Sequence, residues 1–172
     1  MNLPDCRPVR FALILSVVLL STVSIIAQEK ATILAGADLT RVVPTGFYFE
    51  GQSAPTQMRN AAAVRFGTNR HVIAGLVDTS GYSSEIRAKY EGFLITDSSI
   101  RIGGKALDTG AYGFGFTDDG KLNVFDVSGK QILSIAATND KALRRPRPLM
   151  MMNAAGGVRL YSRRSYVVVS AR

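Results

Sequence analysis

The stretch that decides the fold runs from Ile100 to Ala136 and reads IRIGGKALDTGAYGFGFTDDGKLNVFDVSGKQILSIA. Short apolar segments alternate in it with residue pairs that favour tight turns: Gly103-Gly104, Asp119-Gly120 and Ser128-Gly129. Such pairs join neighbouring antiparallel strands because glycine, and to a lesser degree aspartate, tolerates positive φ. The stretch therefore predicts a hairpin followed by a meander of antiparallel strands.

The aromatic strand of this meander, residues 111–116, alternates strictly between its two faces. Its aromatic residues fall on one face, and its small residues, Gly113 and Gly115 among them, fall on the other. Glycines inside a strand let another backbone or a ligand approach closely. We favour a crossing segment of the same chain over a ligand at these two glycines.

The turns also predict the register of the meander. If Asp119-Gly120 is a two-residue loop, Phe114 lies opposite Phe125, and the next turn places Phe125 opposite Ile132. The other face then carries Gly115, Val124 and Leu133. Because both faces are apolar, both should be covered, which predicts an all-β fold: a single antiparallel β-sandwich or a filled barrel.

The rest of the chain predicts further strands and their connectors. Apolar runs indicate strands at 71–77 and 90–96, a helical turn at 83–88 between them, and a closing hairpin of 158–161 with 166–170. Neither proline in residues 141–148 can donate a hydrogen bond to a sheet, which predicts an irregular connector there.

Residues 55–66 admit two interpretations. Their apolar spacing, followed by Gly67, fits a helix with a glycine stop. Residues 60–66 alone fit a strand that turns directly into the strand at 71–77. We favour the strand, because the pairing is immediate and the rest of the chain is β.

The N-terminal region has the pattern of an export signal. Arg7 and Arg10 precede an apolar run over residues 11–27, and Gln28 begins a polar stretch. This order is typical of a signal peptide over 1–27, which leaves 28–172 as one β-rich domain. The run also reaches about 17 residues, the lower limit for a membrane anchor, so retention without cleavage is the alternative. Either way, residues 28–172 are expected in the periplasm or outside the cell, with membrane contact only through residues 11–27.

The inventory of reactive side chains favours a non-catalytic protein. Cys6 is the only cysteine and lies in the leader, so residues 28–172 have no disulfide and no thiol site. His71 is the only histidine, and it begins an apolar strand without a partner pattern. No phosphate-binding loop or metal-ligand pair indicates a cofactor. Paired carboxylates are recognised only in three dimensions, so a small hydrolase of envelope or extracellular polysaccharide is the alternative function.

The charge of the exported part indicates anionic partners. Residues 28–172 carry 19 basic and 12 acidic residues, a net charge of +7. This excess favours an anionic polymer or an envelope surface, although solubility alone would also explain it. Nucleic acid is not expected, because the chain lacks a recognition-helix or base-stacking pattern and is exported. The arginines gather late, and Arg144, Arg145 and Arg147 form a candidate anion patch whose alternative is a solvated connector.

A second candidate site consists of polar residues at predicted strand ends and loops, where rigid β scaffolds hold binding groups. Its members are Gln57, Arg59, Asn60, Asp78, Thr79 and Tyr82. Arg59 and Asp78 could orient a polar ligand by bidentate hydrogen bonds, or they could form an internal salt bridge.

An apolar segment offers a third possibility. Leu149 and the run Met150-Met151-Met152 predict an adaptable contact for a protein partner, because the methionine side chain is flexible.

Residues 103–112, GGKALDTGAY, resemble the G-G-x-x-L-x-x-G-x-Y hairpin of a family of exported bacterial β-rich proteins of unassigned function. Residues 55–60, 76–82 and 141–149 are similar to further segments of that family. The family usually has proline at the position of Asp108, a difference that only softens the turn. The resemblance implies an exported β-rich domain and carries over no catalytic residue. We therefore expect an exported, non-catalytic β-sandwich with a binding or structural role.

Overall fold

The computed structural model describes residues 30–172, which form two antiparallel β-sheets. The first sheet contains β1 (Ala31–Ile33), β2 (Gly46–Phe49), β3 (Gln52–Phe66), β4 (Arg70–Val77), β5 (Gly92–Thr96), β8 (Gly110–Phe116), β9 (Lys121–Phe125) and β10 (Gln131–Ala136). The second contains β6 (Ile100–Ile102), β7 (Lys105–Leu107), β11 (Thr138–Asn139), β12 (Arg147–Ala154), β13 (Gly157–Arg163) and β14 (Ser165–Ala171). The helices are α1 (Gly36–Val42) and α2 (Ser84–Lys89). The predictions for residues 1–27 lie outside the described residues.

The arrangement confirms the all-β prediction as a sandwich, without a closed barrel in the described residues. The first sheet has the strand order β1-β3-β4-β5-β8-β9-β10, with β2 paired to β3. The second has the order β12-β13-β14-β6-β7, with β11 paired to β14. The strands predicted at 71–77, 90–96 and in the closing hairpin are all present, as is the helical turn near 83–88. Residues 52–66 are one strand, so the strand interpretation of 60–66 is confirmed.

The predicted register of the meander is wrong by one residue. Phe114 pairs with Val124, and Gly113 pairs with Phe125. The loop has three residues: the Thr117 amide donates to the Lys121 carbonyl at 2.8 Å, and Gly120 has a φ of +78°. This is a turn that ends in a left-handed residue, a common hairpin connection. A shift of one residue moves a side chain to the opposite face, so Phe125 points away from Phe114.

The next turn corrects a second predicted pair. Phe125 lies opposite Gln131, and the register shifts at Ile132. The predicted neighbours Val124 and Leu133 are paired as expected. Ile132, placed in this bulge, is 39% exposed instead of packed against Phe125. The second loop is also one residue longer than predicted, since the Asp126 amide donates to the Lys130 carbonyl, and the bulge restores the predicted β9–β10 register from Leu133 onward.

Two apolar cores cover both faces of the first sheet, as the sequence predicted. The first lies between the sheets and includes Leu94, Phe114 and Leu160. The second lies on the other face of the first sheet, under α1, the β2–β3 hairpin and the segment around α2. In it the rings of Phe49 and Tyr90 stack with their centroids 4.0 Å apart.

Gly113 and Gly115 of β8 receive a crossing segment of the same chain, as favoured from the sequence. A Cβ on Gly113 would overlap the ring of Phe49, and one on Gly115 would overlap the backbone carbonyl of Lys89. These glycines therefore serve close packing of the second core.

The connector before β12 is shorter than predicted. Residues 141–146 are irregular, but Arg147 and Pro148 already belong to β12. The register shifts between Arg147 and Met150, which accommodates a proline that cannot donate to the ladder.

The methionine run does not form the predicted partner surface. Leu149 and Met151 are 2% and 6% exposed and belong to the first core, whereas Met152 is 42% exposed. The alternation of a strand divides the run between core and solvent. Within residues 30–172, no helix has the length and apolar character needed to cross a bilayer.

Candidate functional site

The polar cluster predicted from the sequence surrounds a bulge in β3. Thr56 pairs with Val77 and Ala61 with Gly75, so residues 57–60 protrude between these pairs. The Gln57 side-chain amide donates to the Val77 carbonyl at 3.0 Å, and the Asn60 amide donates to Gln57 Oε1 at 2.8 Å. Gln57 satisfies a backbone carbonyl beside the bulge, and Asn60 satisfies the side-chain oxygen of Gln57, which is a structural use of both side chains.

Three other members of the cluster stabilise the loop after β4. The Ser80 amide donates to Asp78 Oδ1 at 3.0 Å, and this hydrogen bond lowers the pKa of the Asp78 carboxyl. The Thr79 carbonyl accepts from the Tyr82 amide at 3.0 Å. Tyr82 is 5% exposed, and its hydroxyl donates to the Gln52 carbonyl at 3.1 Å. These bonds tie the loop to the β2–β3 hairpin.

Arg59 and Asp78 are not joined. None of the ion pairs in the described part of the chain connects them, so the predicted internal salt bridge is absent. Arg59 projects from the bulge with an exposed side chain, and it faces a different set of residues.

Arg59 meets Arg147 across a groove at the seam between the two sheets. We call this the seam groove; it has a volume of about 280 Å³. Its other principal lining residues are apolar and come from β1, the segment between β1 and α1, α1, β3 and β12: Ile33, Leu34, Leu39, Ala61, Leu149 and Met150. The fold thus brings one residue of the predicted polar cluster beside one residue of the predicted anion patch.

Arg147 also lines a second groove, at the turn of the closing hairpin. This hairpin groove has a volume of about 570 Å³ and is lined by Asn139, Pro146, Arg147, Pro148, Arg163, Arg164 and Ser165. Arg144 and Arg145, the other members of the predicted patch, are exposed on the connector and do not line it. Arg147 is therefore the point at which the two grooves meet.

The described linings of the two grooves carry positive charge and no carboxylate, although the Glu91 carboxyl interacts electrostatically with Arg163. Arg147 and Arg163 are direct partners in the β12–β13 pairing. Like charges directly opposite each other destabilise a sheet, so the fold retains an unfavourable pair at the junction of the grooves.

Two nearby arginines are instead engaged in the protein. The Arg164 guanidinium donates to the Leu143 carbonyl at 2.6 Å and to the Lys141 carbonyl at 3.2 Å, which holds the connector against the hairpin. Arg159 lies 3.9 Å from Asp140 and stacks over the ring of Tyr166 at 4.6 Å. By contrast, no ion pair within residues 30–172 involves Arg59 or Arg147.

A third groove is less suited to a charged ligand. It has a volume of about 800 Å³, and its lining includes Tyr48, Glu50, Lys89 and Lys130. Lys89 and Glu50 form an ion pair of 2.8 Å inside it, so most of its charge is internally compensated.

His71 pairs with a carboxylate at the ends of two neighbouring strands. His71 Nδ1 lies 3.1 Å from Asp97 Oδ2, and the His71 amide donates to Asp97 Oδ1 at 2.8 Å, which joins the ends of β4 and β5. No hydroxyl among the described residues completes a triad with this pair by a hydrogen bond to His71. The same residues contain no cluster of side chains able to hold a metal ion.

Among the carboxyls of residues 30–172, Glu91 is the one with a raised pKa. Burial is the main cause, and the charge of Asp118 adds to it, while the Phe116 amide and Arg163 oppose it. The Phe116 amide donates to Glu91 Oε2 at 3.2 Å.

The sequence places Arg163 and Arg164 among the late arginines and between the strands of the closing hairpin, outside the predicted anion patch. Arg163 and Arg164 line a groove because β12 pairs with β13. This pairing brings the connector before β12 against the turn of the closing hairpin. The sequence signal for this groove is a second arginine cluster at the turn, which follows the first cluster at Arg144 and Arg145.

Comparison with known proteins leaves the chain without an identified relative. No family model, no curated protein and no solved structure matches it. The resemblance to exported bacterial β-rich proteins therefore stays a prediction, and the function must be argued from the grooves themselves.

Proposed function

We propose that this chain is an exported, non-catalytic β-sandwich that binds an anionic polymer of the cell envelope or its surroundings through the exposed arginines that border the seam and hairpin grooves. The observation that carries the proposal is the shared position of Arg147 between two arginine-lined grooves without a lining carboxylate. A polymer with repeated carboxylate, sulfate or phosphate groups could engage Arg59, Arg147 and Arg163 in succession.

The chemistry of arginine supports this kind of ligand. A guanidinium presents a planar set of donors that matches carboxylate and phosphate groups with two parallel hydrogen bonds. An anion placed between Arg147 and Arg163 would also relieve their mutual repulsion. Binding should therefore be strongest at low ionic strength and should weaken as salt screens the charges.

The test is binding of the purified protein to polyanions of known chemistry. We would titrate the protein with a carboxylated and with a sulfated polysaccharide by calorimetry. Each titration is made at low salt and near 0.15 M salt, where the Debye screening length is ~8 Å. Arg147→Gln should weaken binding more than Arg87→Gln, a matched control on α2 with an exposed side chain. Equal affinities for the two variants, or binding that ignores salt, would contradict the proposal.

Export is tested separately. Cells that express the full chain are fractionated, and the N-terminus of the recovered protein is determined by mass spectrometry. A product that begins at Gln28 in the periplasm or the medium supports cleavage after Ala27. A full-length product that stays in the cytoplasm would refute export.

The alternative function, hydrolysis of polysaccharide, has one observation in its favour. A glycosidase acid needs a raised pKa, and burial gives Glu91 that property near the charges of Asp118 and Arg163. Release of reducing ends from a polysaccharide, abolished in Glu91→Gln, would support the hydrolase over the binding protein.

A further inference from the structure

We infer that the seam groove takes the apolar chain of an anionic amphiphile, such as an alkyl carboxylate or an alkyl phosphate, with its head group between Arg59 and Arg147. This inference rests on the proposed function, because it uses the same arginines, but it names a ligand with an apolar part. The argument depends on the composition of the groove, its size and its connection to the hairpin groove.

The lining of the seam groove does not suit a hydroxylated ligand. Apart from Arg59 and Arg147, its side chains are aliphatic or methionine, and the described lining contains no hydroxyl, amide or carboxyl side chain. A sugar ring in this groove would lose hydrogen bonds to water without replacing them, which is costly. An alkyl chain has no such groups to lose, and it would cover the apolar side chains.

The exposed apolar residues of the groove can adapt to such a chain. Met150 and Leu39 are half-buried on opposite walls, in β12 and α1. Methionine fills irregular space because its side chain is flexible. The helix α1 contains no fully buried residue, although its Leu39 and Val42 side chains pack against the second core.

The size of the groove limits the ligand. At about 280 Å³ it lies just below the ~300–1,000 Å³ of most small-molecule sites, which fits one chain of moderate length. The head group then lies at Arg147, where the larger hairpin groove offers Arg163, Asn139 and Ser165 to further anionic or polar groups. The apolar part of the amphiphile thus lies in the seam groove, and its charged part lies at Arg147 beside the hairpin groove.

The experiment compares a series of alkyl phosphates with inorganic phosphate. The purified protein is titrated with butyl, hexyl and octyl phosphate below their micelle concentrations, with octyl glucoside as the uncharged control. We expect the affinity to rise by up to about fourfold for each added methylene, the ratio that full burial of one methylene supplies, until the groove is full. Octyl glucoside should bind much more weakly than octyl phosphate, because it cannot pair with Arg59 or Arg147.

Two variants locate the binding. Arg59→Gln should lower the affinity for octyl phosphate about tenfold or more, the loss of a charge-assisted hydrogen bond. Leu39→Asn should remove most of the dependence on chain length, because Leu39 belongs to the apolar part of the lining. Arg87→Gln is the control for charge, and circular dichroism shows whether each variant is folded. If Leu39→Asn does not fold, titration of Arg59→Gln with the same series of alkyl phosphates still tests the inference.

The possible failures are distinguishable. If alkyl phosphates bind no better than inorganic phosphate while polyanions still bind, the inference is wrong and the proposed function stands. If neither kind of ligand binds at low salt, both are wrong. A dependence on chain length that is the same in Leu39→Asn and Arg59→Gln would place the apolar contact elsewhere and would overturn the inference.

Discussion

At the scale of single residues, Arg147 shows how a binding surface can oppose stability. Arg147 is exposed and pairs with Arg163 on the neighbouring strand, and no carboxylate lines either adjacent groove of the described structure. Directly opposed like charges are destabilising in a sheet. A residue pair of this kind is understandable where a ligand supplies the missing negative charge.

This pairing makes a prediction for the free protein. Arg147→Gln should increase the free energy of unfolding by roughly 0.2–1 kcal/mol at low salt, because it removes the repulsion from Arg163. The measurement is urea unfolding at low and high salt, with Arg87→Gln as control. The gain should shrink at high salt, where the charges are screened. A loss of stability in Arg147→Gln would show that the arginine has a favourable partner.

Glu91 gives a prediction on pH. Burial raises its pKa in the folded state above the value of an unfolded chain, so the folded protein favours the protonated carboxyl. The contribution of Glu91 to stability is then fully present below the unfolded pKa of about 4.3 and is lost as the pH rises through the folded pKa. Glu91→Gln, which stays neutral, should therefore gain stability relative to the wild type between acidic and neutral pH.

The measurement is the free energy of unfolding of both proteins over that pH range. Phe116 can still donate its amide hydrogen to the glutamine oxygen, so the variant keeps the local hydrogen bond. A constant difference between the two proteins at every pH would contradict a raised pKa at Glu91.

At the scale of elements, β12 shows how strand alternation divides a uniform sequence. Met151 is 6% exposed in the first core, and its neighbour Met152 is 42% exposed. The sequence alone marks both as equivalent, because strand alternation assigns opposite faces without saying which face is buried. The approach of β12 to β3 and β1 decides the matter.

The two methionines therefore form a matched pair for mutation. Met151→Lys should lower the free energy of unfolding by about 3 kcal/mol or more, because it places an unpaired charge in the core. Met152→Lys should change it by less than about 0.5 kcal/mol, as is usual for surface substitutions. Chemical denaturation of both variants checks this, and similar losses for the two would mean that Met152 is covered by another chain.

At the scale of the whole molecule, the two cores share the first sheet. In β5, Leu94 faces the first core and Phe93 faces the second. Because the same strands support both cores, the loss of one removes packing from the other. A single cooperative transition is therefore expected on unfolding, as in most domains of this size.

One substitution in each core tests this coupling. Leu160→Ala in the first core should cost about 2–5 kcal/mol and Phe49→Ala in the second about 3–5 kcal/mol, since both side chains are fully buried. Far-ultraviolet circular dichroism and tyrosine fluorescence should report the same transition in each variant, and Tyr48→Ala, with a 55% exposed ring, should change little. Separate transitions from the two probes would show that the cores unfold independently.

The sequence by itself determined the class of the fold and most of its strands. Strict alternation in 111–116 and glycine-containing turns act within a few residues of the chain, so they are legible without the tertiary structure. The sequence did not determine the register after Thr117. The same residues can form a loop of two or of three residues, and the hydrogen bonds of the folded turn decide between the two.

Only the tertiary structure decided the candidate site. Arg59 and Arg147 lie on different sheets, and they share a groove because β12 packs against β3. Gln57 and Asn60, equally polar in the sequence, are instead used by the bulge of β3. Local patterns record which conformation a segment prefers, whereas the meeting of distant side chains follows from how the sheets bury their apolar faces.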